Sequence, residues 1–235
     1  MIKAPAIFFS FDDDYIEEWY AVLPLLNEYN ARVTFYLSYL DCIDDDEWQM
    51  IKEFKKAGHT IAFHGKDHIN PKKFISENGC KKYLDKEILS GIEILKERGF
   101  DNIRNFAYPY GRDSLEAKKC LSPYFDTLRT VDYYLYSENE IRNNLKQIKS
   151  FNLAKFPIKH KDMKFKIFAR LVKEGKILFT HIHRSGSNTD WKMKKKSIKK
   201  LPKELRTSLQ IIQKALLMGE KYNIKFLSMG ELNGL

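Results

Sequence analysis

The chain has 235 residues, 43% hydrophobic and 14% aromatic, which allows a full core without disulfides or structural metals and excludes a disordered class. A formal net charge of +10 favours polyanionic partners such as nucleic acid, anionic lipid headgroups, or nucleotide-linked and acidic sugars. Much of the excess sits in "KMKKKSIKK", Lys192 to Lys200, a run that reads first as a solvated face.

In chain order, "AIFFSF" (6–11) reads as a buried strand and "YIEEWYAVLPLLNEY" (15–29) as a helix with Pro24 inside it, a residue that kinks helices. "RVTFYL" is the second strand. "DDDEWQMIKEFKKAG" follows as a helix, with acids in its first turn and Gly58 as its stop. "TIAF" (60–63) is the third strand and runs straight into His64 and His68. After a loop, "CKKYLDKEILSGIEILKERG" (80–99) carries helical spacing of apolar residues. "IRNFAY" is the fourth strand, "SLEAKKCL" a short helix and "FDTLRTV" the fifth strand. Asp132 to Lys161 has little pattern, although "QIKSFNL" fits a strand. "DMKFKIFARLVKEG" is a helix, "KILFTH" a strand, "PKELRTSLQIIQKALLMGEK" a long helix and "IKFLSM" the last strand.

Seven or eight strands alternating with helices indicate an α/β protein with a mostly parallel sheet. No composition break divides the chain, so a closed barrel over residues 1–235 is favoured over two domains; periodicity does not separate it from an open doubly wound sheet. Cys42, Cys80 and Cys120 are odd in number and form no CxxC pair, which points to reduced thiols in a cytoplasmic protein. The start "MIKAPAIFFSFDDD" has no signal-peptide pattern, and no stretch approaches the ~18–20 apolar residues of a membrane span.

The polar residues gather by position. "SFDD" closes the first strand, His64 and His68 follow the third, "YPYG" follows the fourth, and "THIH" (180–183) closes the strand before the last helix. All four lie at C-terminal strand ends, the rim where a parallel α/β barrel assembles its active site. Each has a structural alternative: Asp12 to Asp14 as turn formers and a helix cap, the histidine pair as loop residues, "YPYG" as a turn, His181 and His183 as satisfied polar groups. Together, one carboxylate and two imidazoles offer three ligands to zinc or another divalent transition metal. A second carboxylate can act as base and a separate histidine as acid, which describes metal-assisted hydrolysis of an amide or ester.

These residues resemble the polysaccharide deacetylases, carbohydrate esterase family 4. "SFDDD" (10–14) is similar to the family's T-F-D-D-G motif, "HGKDH" (64–68) to H-[ST]-x-x-H, "AYPYG" (107–111) to R-x-P-[FY]-G, and "ILFTH" (177–181) to the late L-x-H motif. The resemblance implies a distorted, incomplete (β/α) barrel. It implies Asp13, His64 and His68 as metal ligands, Asp12 as the base toward the attacking water, and His181 as the acid toward the departing amine. The Tyr110 backbone N–H would help to hold the oxyanion. The cofactor implied is a divalent metal, zinc foremost, with cobalt, nickel, manganese or iron as alternatives.

Three positions depart from the family pattern: Gly65 replaces Ser or Thr, Asp14 replaces Gly, and Ala107 replaces the arginine that pairs with the base. Arg104 or Arg112 are candidate stand-ins for that arginine, with Asp132 a weak candidate for the residue that orients it. His183 is a candidate second contact to site or substrate, His59 reads as structural, and His160 gives no signal. The expected function is a metal-dependent hydrolase removing an N-acetyl group from a sugar or glycan, nucleotide- or lipid-linked forms included. Peripheral membrane contact is compatible with the basic surface. The alternatives are an amidohydrolase for a small non-sugar amide, or a non-catalytic module binding anionic glycan. Specific nucleic-acid binding is not expected, because the lysine run lacks interleaved stacking residues.

Overall fold

The computed structural model describes residues 5–153, 161–183 and 203–232. The basic run Lys192–Lys200 and His160 lie outside the described residues. In order, the elements are β1 (Ala6–Asp13), α1 (Ile16–Glu28), β2 (Thr34–Leu37), α2 (Asp45–Lys56), β3 (Thr60–Phe63) and α3 (Pro71–Asn78). Next, α4 (Cys80–Tyr83) runs through a π-helical stretch, Leu84–Leu89, into α5 (Ser90–Glu97). Then come β4 (Asn105–Ala107), α6 (Leu115–Leu121), β5 (Thr127–Val131), β6 (Leu135–Tyr136), α7 (Glu138–Asn144) and β7 (Ile148–Asn152). The chain continues with α8 (Lys161–Lys173), β8 (Ile177–Ile182), α9 (Lys203–Lys221) and β9 (Lys225–Leu227).

Seven parallel strands close a ring in the order β1-β2-β3-β4-β5-β7-β8, and β8 returns to β1 with Ala6 opposite Ile177 through Phe11 opposite Ile182. The ring is distorted where β1 forks. It pairs with β2 over Ser10–Asp13 and with β9 over Ala6–Phe8, both parallel. β8 forks likewise, between parallel β7 and the antiparallel two-residue β6. A seven-strand ring is one unit short of the eight-strand barrel, which agrees with the incomplete barrel expected.

Strand alternation sorts the two sides of the wall. Along β1, Ile7, Phe9 and Phe11 join the large cluster under the helices with Trp19, Phe35, Trp48 and Phe54. Ala6 and Phe8 face the other way, into a smaller cluster with Tyr36, Ala62, Ala107, Ile148 and Phe179. The same parity turns Asp12 inward at the mouth of the barrel. Burying large rings at about 25 cal/mol per Å² makes this register hard to slip, because a one-residue shift would turn Ser10 and Asp12 out among the rings under the helices.

Several expectations need correcting. α1 holds Pro24 inside it as expected, but none of Asp12 to Asp14 caps it; its first flanking residue is Tyr15, with no side-chain cap. The segment before Cys80 holds α3, started by the Asn70 side chain with Pro71 in its first turn. The unpatterned stretch after Asp132 holds β6 and α7, while β7 falls in "QIKSFNL", the segment that fits a strand. At the start of α7, Ser137 and Glu140 form a capping box, an S-x-x-E signature readable in the sequence.

The three-thiol reading is overturned. Cys80 and Cys120 form a disulfide that joins α4 to α6 across a separation of 40 residues, and Cys42 is exposed and free. Spacing in sequence carried no sign of it, because the pair meets only when two helices pack side by side. Closing a loop of that length stabilises a fold by about 4 kcal/mol in the chain-entropy account. Thiol titration of unfolded, unreduced protein is expected to find one free thiol, rising to three after reduction; three before reduction would contradict the bridge.

Candidate active site at the barrel mouth

Three loops meet above the C-terminal ends of β1, β3 and β4. The His64 N–H donates to Leu37 O at 2.8 Å and so extends the strand ladder by one rung before the chain turns. Gly65 then takes φ +86° and His68 φ +56°, so the histidines sit on a tight loop and not on a helical turn. Asp13 also has φ +90°. Two non-glycine residues in this sparsely allowed region, at one rim, mark stored strain of the kind that clusters at functional sites.

These turns bring three side chains to a point. His64 Nε2 lies 3.6 Å and His68 Nε2 3.4 Å from Asp13 Oδ1, and the two ring nitrogens are 3.2 Å apart. His64 Nδ1 is 2.8 Å from Ala107 O. A carbonyl only accepts, so that nitrogen carries the proton and Nε2 presents a lone pair. Burial drives the His64 imidazole down to about 3 and that of His68 to about 4, so neither is cationic at neutral pH. Burial, offset in part by His183 and reinforced by Asp12 and Asp14, pushes Asp13 up to about 6. Asp13 Oδ1 is buried without a hydrogen-bond partner among the described residues.

His68 Nδ1 is buried without a hydrogen-bond partner among the described residues, so the His68 proton either sits there or bridges from Nε2 to His64 Nε2. In the first tautomer three lone pairs converge, and a cation between them relieves their repulsion. Ligands ~2.1 Å from a tetrahedral ion stand about 3.4 Å apart, which is the observed spacing. The residues therefore fit a small divalent metal, and the mix of one oxygen and two imidazole nitrogens suits zinc and its first-row neighbours.

Beside this trio, Asp12 is 2% exposed and receives a hydrogen bond from Arg129 at 2.6 Å on Oδ2. Burial alone would raise its pKa, but the Arg129 guanidinium, helped by the facing histidines, holds it well below the usual carboxylate range. Its other oxygen, Oδ1, has no partner among the described residues. Arg129 lies over the Tyr36 ring, 4.8 Å from its centre. Across the mouth, His181 Nδ1 meets Ser150 Oγ at 2.9 Å, and burial, then Arg129, keeps the His181 pKa well below its usual value.

The remaining residues take definite places. His183 Nε2 is 4.0 Å from Asp13 Oδ2, and its backbone oxygen accepts from Trp19 Nε1 at 2.8 Å. Tyr110 has φ +59° and sets its exposed ring 4.5 Å from that of His68, between the turn's hydrogen bonds from Gly111 and Arg112 N–H. Asp14 is half-buried, with its carboxyl raised by burial. His59 accepts from Val33 N–H at 3.2 Å and serves the core. Asp12, His64, Tyr110, His181 and His183 line one cavity of about 640 Å³. Asn70 and Arg112 carry its wall into a second cavity of about 540 Å³.

Residues 2–122 match the sequence profile described as Polysaccharide deacetylase. The chain belongs to the polysaccharide deacetylase family. No curated protein matches the sequence significantly. Solved structures share the fold at low identity. The T48 deacetylase with substrate has a TM-score of 0.59 and 16% identity over 97% of this chain and 90% of its own. A family 4 carbohydrate esterase from Streptomyces lividans, in complex with acetate, has 0.59 and 14% over 99% and 97%. A mutant of BA3943, a CE4 family pseudoenzyme, has 0.55 and 14% over 97% and 67%. A fold that also carries a pseudoenzyme leaves activity to be argued from the site.

Within this chain, Arg129 is the residue that sequence reading missed. Neither proposed stand-in reaches Asp12. Arg104 pairs with Asp126 at 3.0 Å, and Arg112 lines both cavities, whereas the guanidinium that bonds Asp12 is that of Arg129. Asp132 binds Lys149 at 2.9 Å on the surface. Arg129 stands directly opposite Ala107 in the β4–β5 register, so the guanidinium enters the same interior layer from the next strand. Because the Asp12 pKa is depressed, the pair contributes stability above the ordinary carboxylate pKa and loses it only in strong acid. Arg129→Met is expected to cost about 3–5 kcal/mol at pH 7 by leaving a buried charge unpaired. The penalty should shrink as pH falls and Asp12 takes up a proton; chemical unfolding across pH measures both.

Proposed function

We propose that this chain is one catalytic domain that removes an N-acetyl group from a saccharide, with a divalent metal, zinc foremost, held by Asp13, His64 and His68. The observation that supports it most is the pairing of one carboxylate and two neutral imidazoles, spaced as ligands of a single ion, with a separate carboxylate, Asp12, that is ionised, anchored on one oxygen and unpaired on the other. Family membership supports the substrate class. When bound, such an ion supplies Lewis acidity toward a carbonyl oxygen and toward water.

The chain's own groups then divide the proton work. Amide plus water gives carboxylate plus ammonium, so both water protons pass to nitrogen. Asp12 Oδ1 is placed to receive the first, with Arg129 keeping the carboxylate ionised and its orientation fixed. His181 faces the same cavity and delivers a proton to the departing amine; being neutral at rest, it passes on protons that the reacting water releases. The Tyr110 backbone N–H, on the strained turn after β4, is a donor toward the developing oxyanion.

A small-amide hydrolase is the second reading, and the cavity favours the first. The main cavity and the next one share Asn70 and Arg112 in their linings, and two adjacent cavities suit a chain of sugar rings more than a compact amide. The run Lys192–Lys200, on which nucleotide- or lipid-linked sugars and peripheral membrane contact rested, lies outside the described residues. Among the described residues no helix is long and apolar enough to cross a membrane. The Cys80–Cys120 bridge removes the argument from reduced thiols for a cytoplasmic setting, since such bonds persist in oxidising compartments.

Metal-loaded protein is expected to release acetate from N-acetylated oligosaccharides, measured by enzymatic acetate assay. Asp12→Asn should lower kcat by about 10²–10⁴ with metal content unchanged. No release from any saccharide by folded, metal-loaded protein would reject the reading.

A further inference from the structure

We infer that Glu87, outside the cavity, is a positioning residue for the two-histidine loop: its buried carboxylate fixes the backbone on both sides of His68 and so sets the geometry in which His64 and His68 meet a cation. This rests on the metal reading above.

Glu87 is fully buried yet lines neither cavity. Its side chain accepts from Asp67 N–H at 3.3 Å on Oε1 and 3.2 Å on Oε2, and from Ile69 N–H at 3.3 Å on Oε2. Its backbone oxygen accepts from Lys66 N–H at 3.2 Å. Asp67 and Ile69 flank His68, the residue held at φ +56°. A carboxylate with both oxygens accepting is suited to hold two converging N–H groups in that unfavourable turn.

The helix is shaped for this contact. Glu87 lies in the π-helical stretch Leu84–Leu89, whose wider turn leaves Glu87 and Ile88 both buried. Such stretches are rare and concentrate at functional sites. One turn later Gly91 lies so close to the loop's entry that an added Cβ would meet the Phe63 ring at 2.4 Å. The carboxylate also stands beside Gly65, where the family motif has Ser or Thr. A Cβ there would stand 2.9 Å from Glu87 Oε2, and the residue has φ +86°. The loop is built around the acid.

The test measures metal affinity and not turnover. Zinc is titrated into metal-free protein in competition with a chromophoric chelator, with circular dichroism to check folding. Relative to wild type, Glu87→Ala should bind zinc about 100-fold more weakly and Glu87→Gln about tenfold, the range for residues that orient metal ligands. Gln keeps the shape but turns an NH₂ toward one of the loop donors. Leu26→Ala, a buried truncation near the C-terminal end of α1 and away from the rim, should lower the melting temperature while binding zinc within twofold of wild type. If Glu87→Ala does not fold, Glu87→Gln decides by the same comparison. Glu87 variants within twofold of wild type, or Leu26→Ala weakened as much as they are, would overturn the inference. Wild type that binds no zinc would reject the metal reading itself, a separate outcome.

Discussion

Convergence of one carboxylate and two neutral imidazoles on a single point is the constraint on which this rim is organised. Asp13 Oδ1, His64 Nε2 and His68 Nε2 are held 3.2–3.6 Å apart, with the His64 proton engaged at Nδ1 by Ala107 O. Without a proton on His68 Nε2 the three facing acceptors repel, and burial leaves little solvent to screen them. The surrounding structure nonetheless forces them together, through the Ala107 carbonyl on His64, the positive φ of Asp13 and His68, and the ladder bond from His64 to Leu37. A fold maintains such an arrangement when a ligand relieves it, and the proposed ligand is a divalent cation.

The barrel makes this convergence available. Alternation along β1 sends Phe9 and Phe11 to the helices and Asp12 to the interior, while the turn at Asp13 brings its carboxylate over the rim. Parallel strands align their C-terminal ends, so β1, β3, β5 and β8 deliver residues more than a hundred positions apart. The interior is not purely apolar. A buried ion pair, Asp12 with Arg129, occupies its upper layer with the Tyr36 ring against it. Replacing it with apolar residues could suit stability equally well, so its presence favours a functional reason for keeping Asp12 ionised.

Much of this was legible in the sequence. The alternating strands and helices gave the α/β class, and the clustering of "SFDD", "HGKDH", "YPYG" and "THIH" at strand ends placed the rim. What escaped reading depended on contacts between elements. Arg129 sits inside "FDTLRTV", where a lone charged residue in a strand looks like an outward-facing one; only the opposition of Arg129 to Ala107 shows that one replaces the other. The Cys80–Cys120 bridge is a packing event between helices. The π-helical stretch leaves no periodic trace in six residues, and Glu87 there reads as one more solvated acid. The two-residue β6 is too short for any pattern.

The most direct test of the account is elemental analysis of the purified protein beside a His64→Ala, His68→Ala double variant, both offered zinc and then desalted. The account predicts close to one divalent ion per chain in the wild type and none retained in the variant. Wild-type protein that is folded and retains no metal, or a variant that retains as much as the wild type, would contradict it.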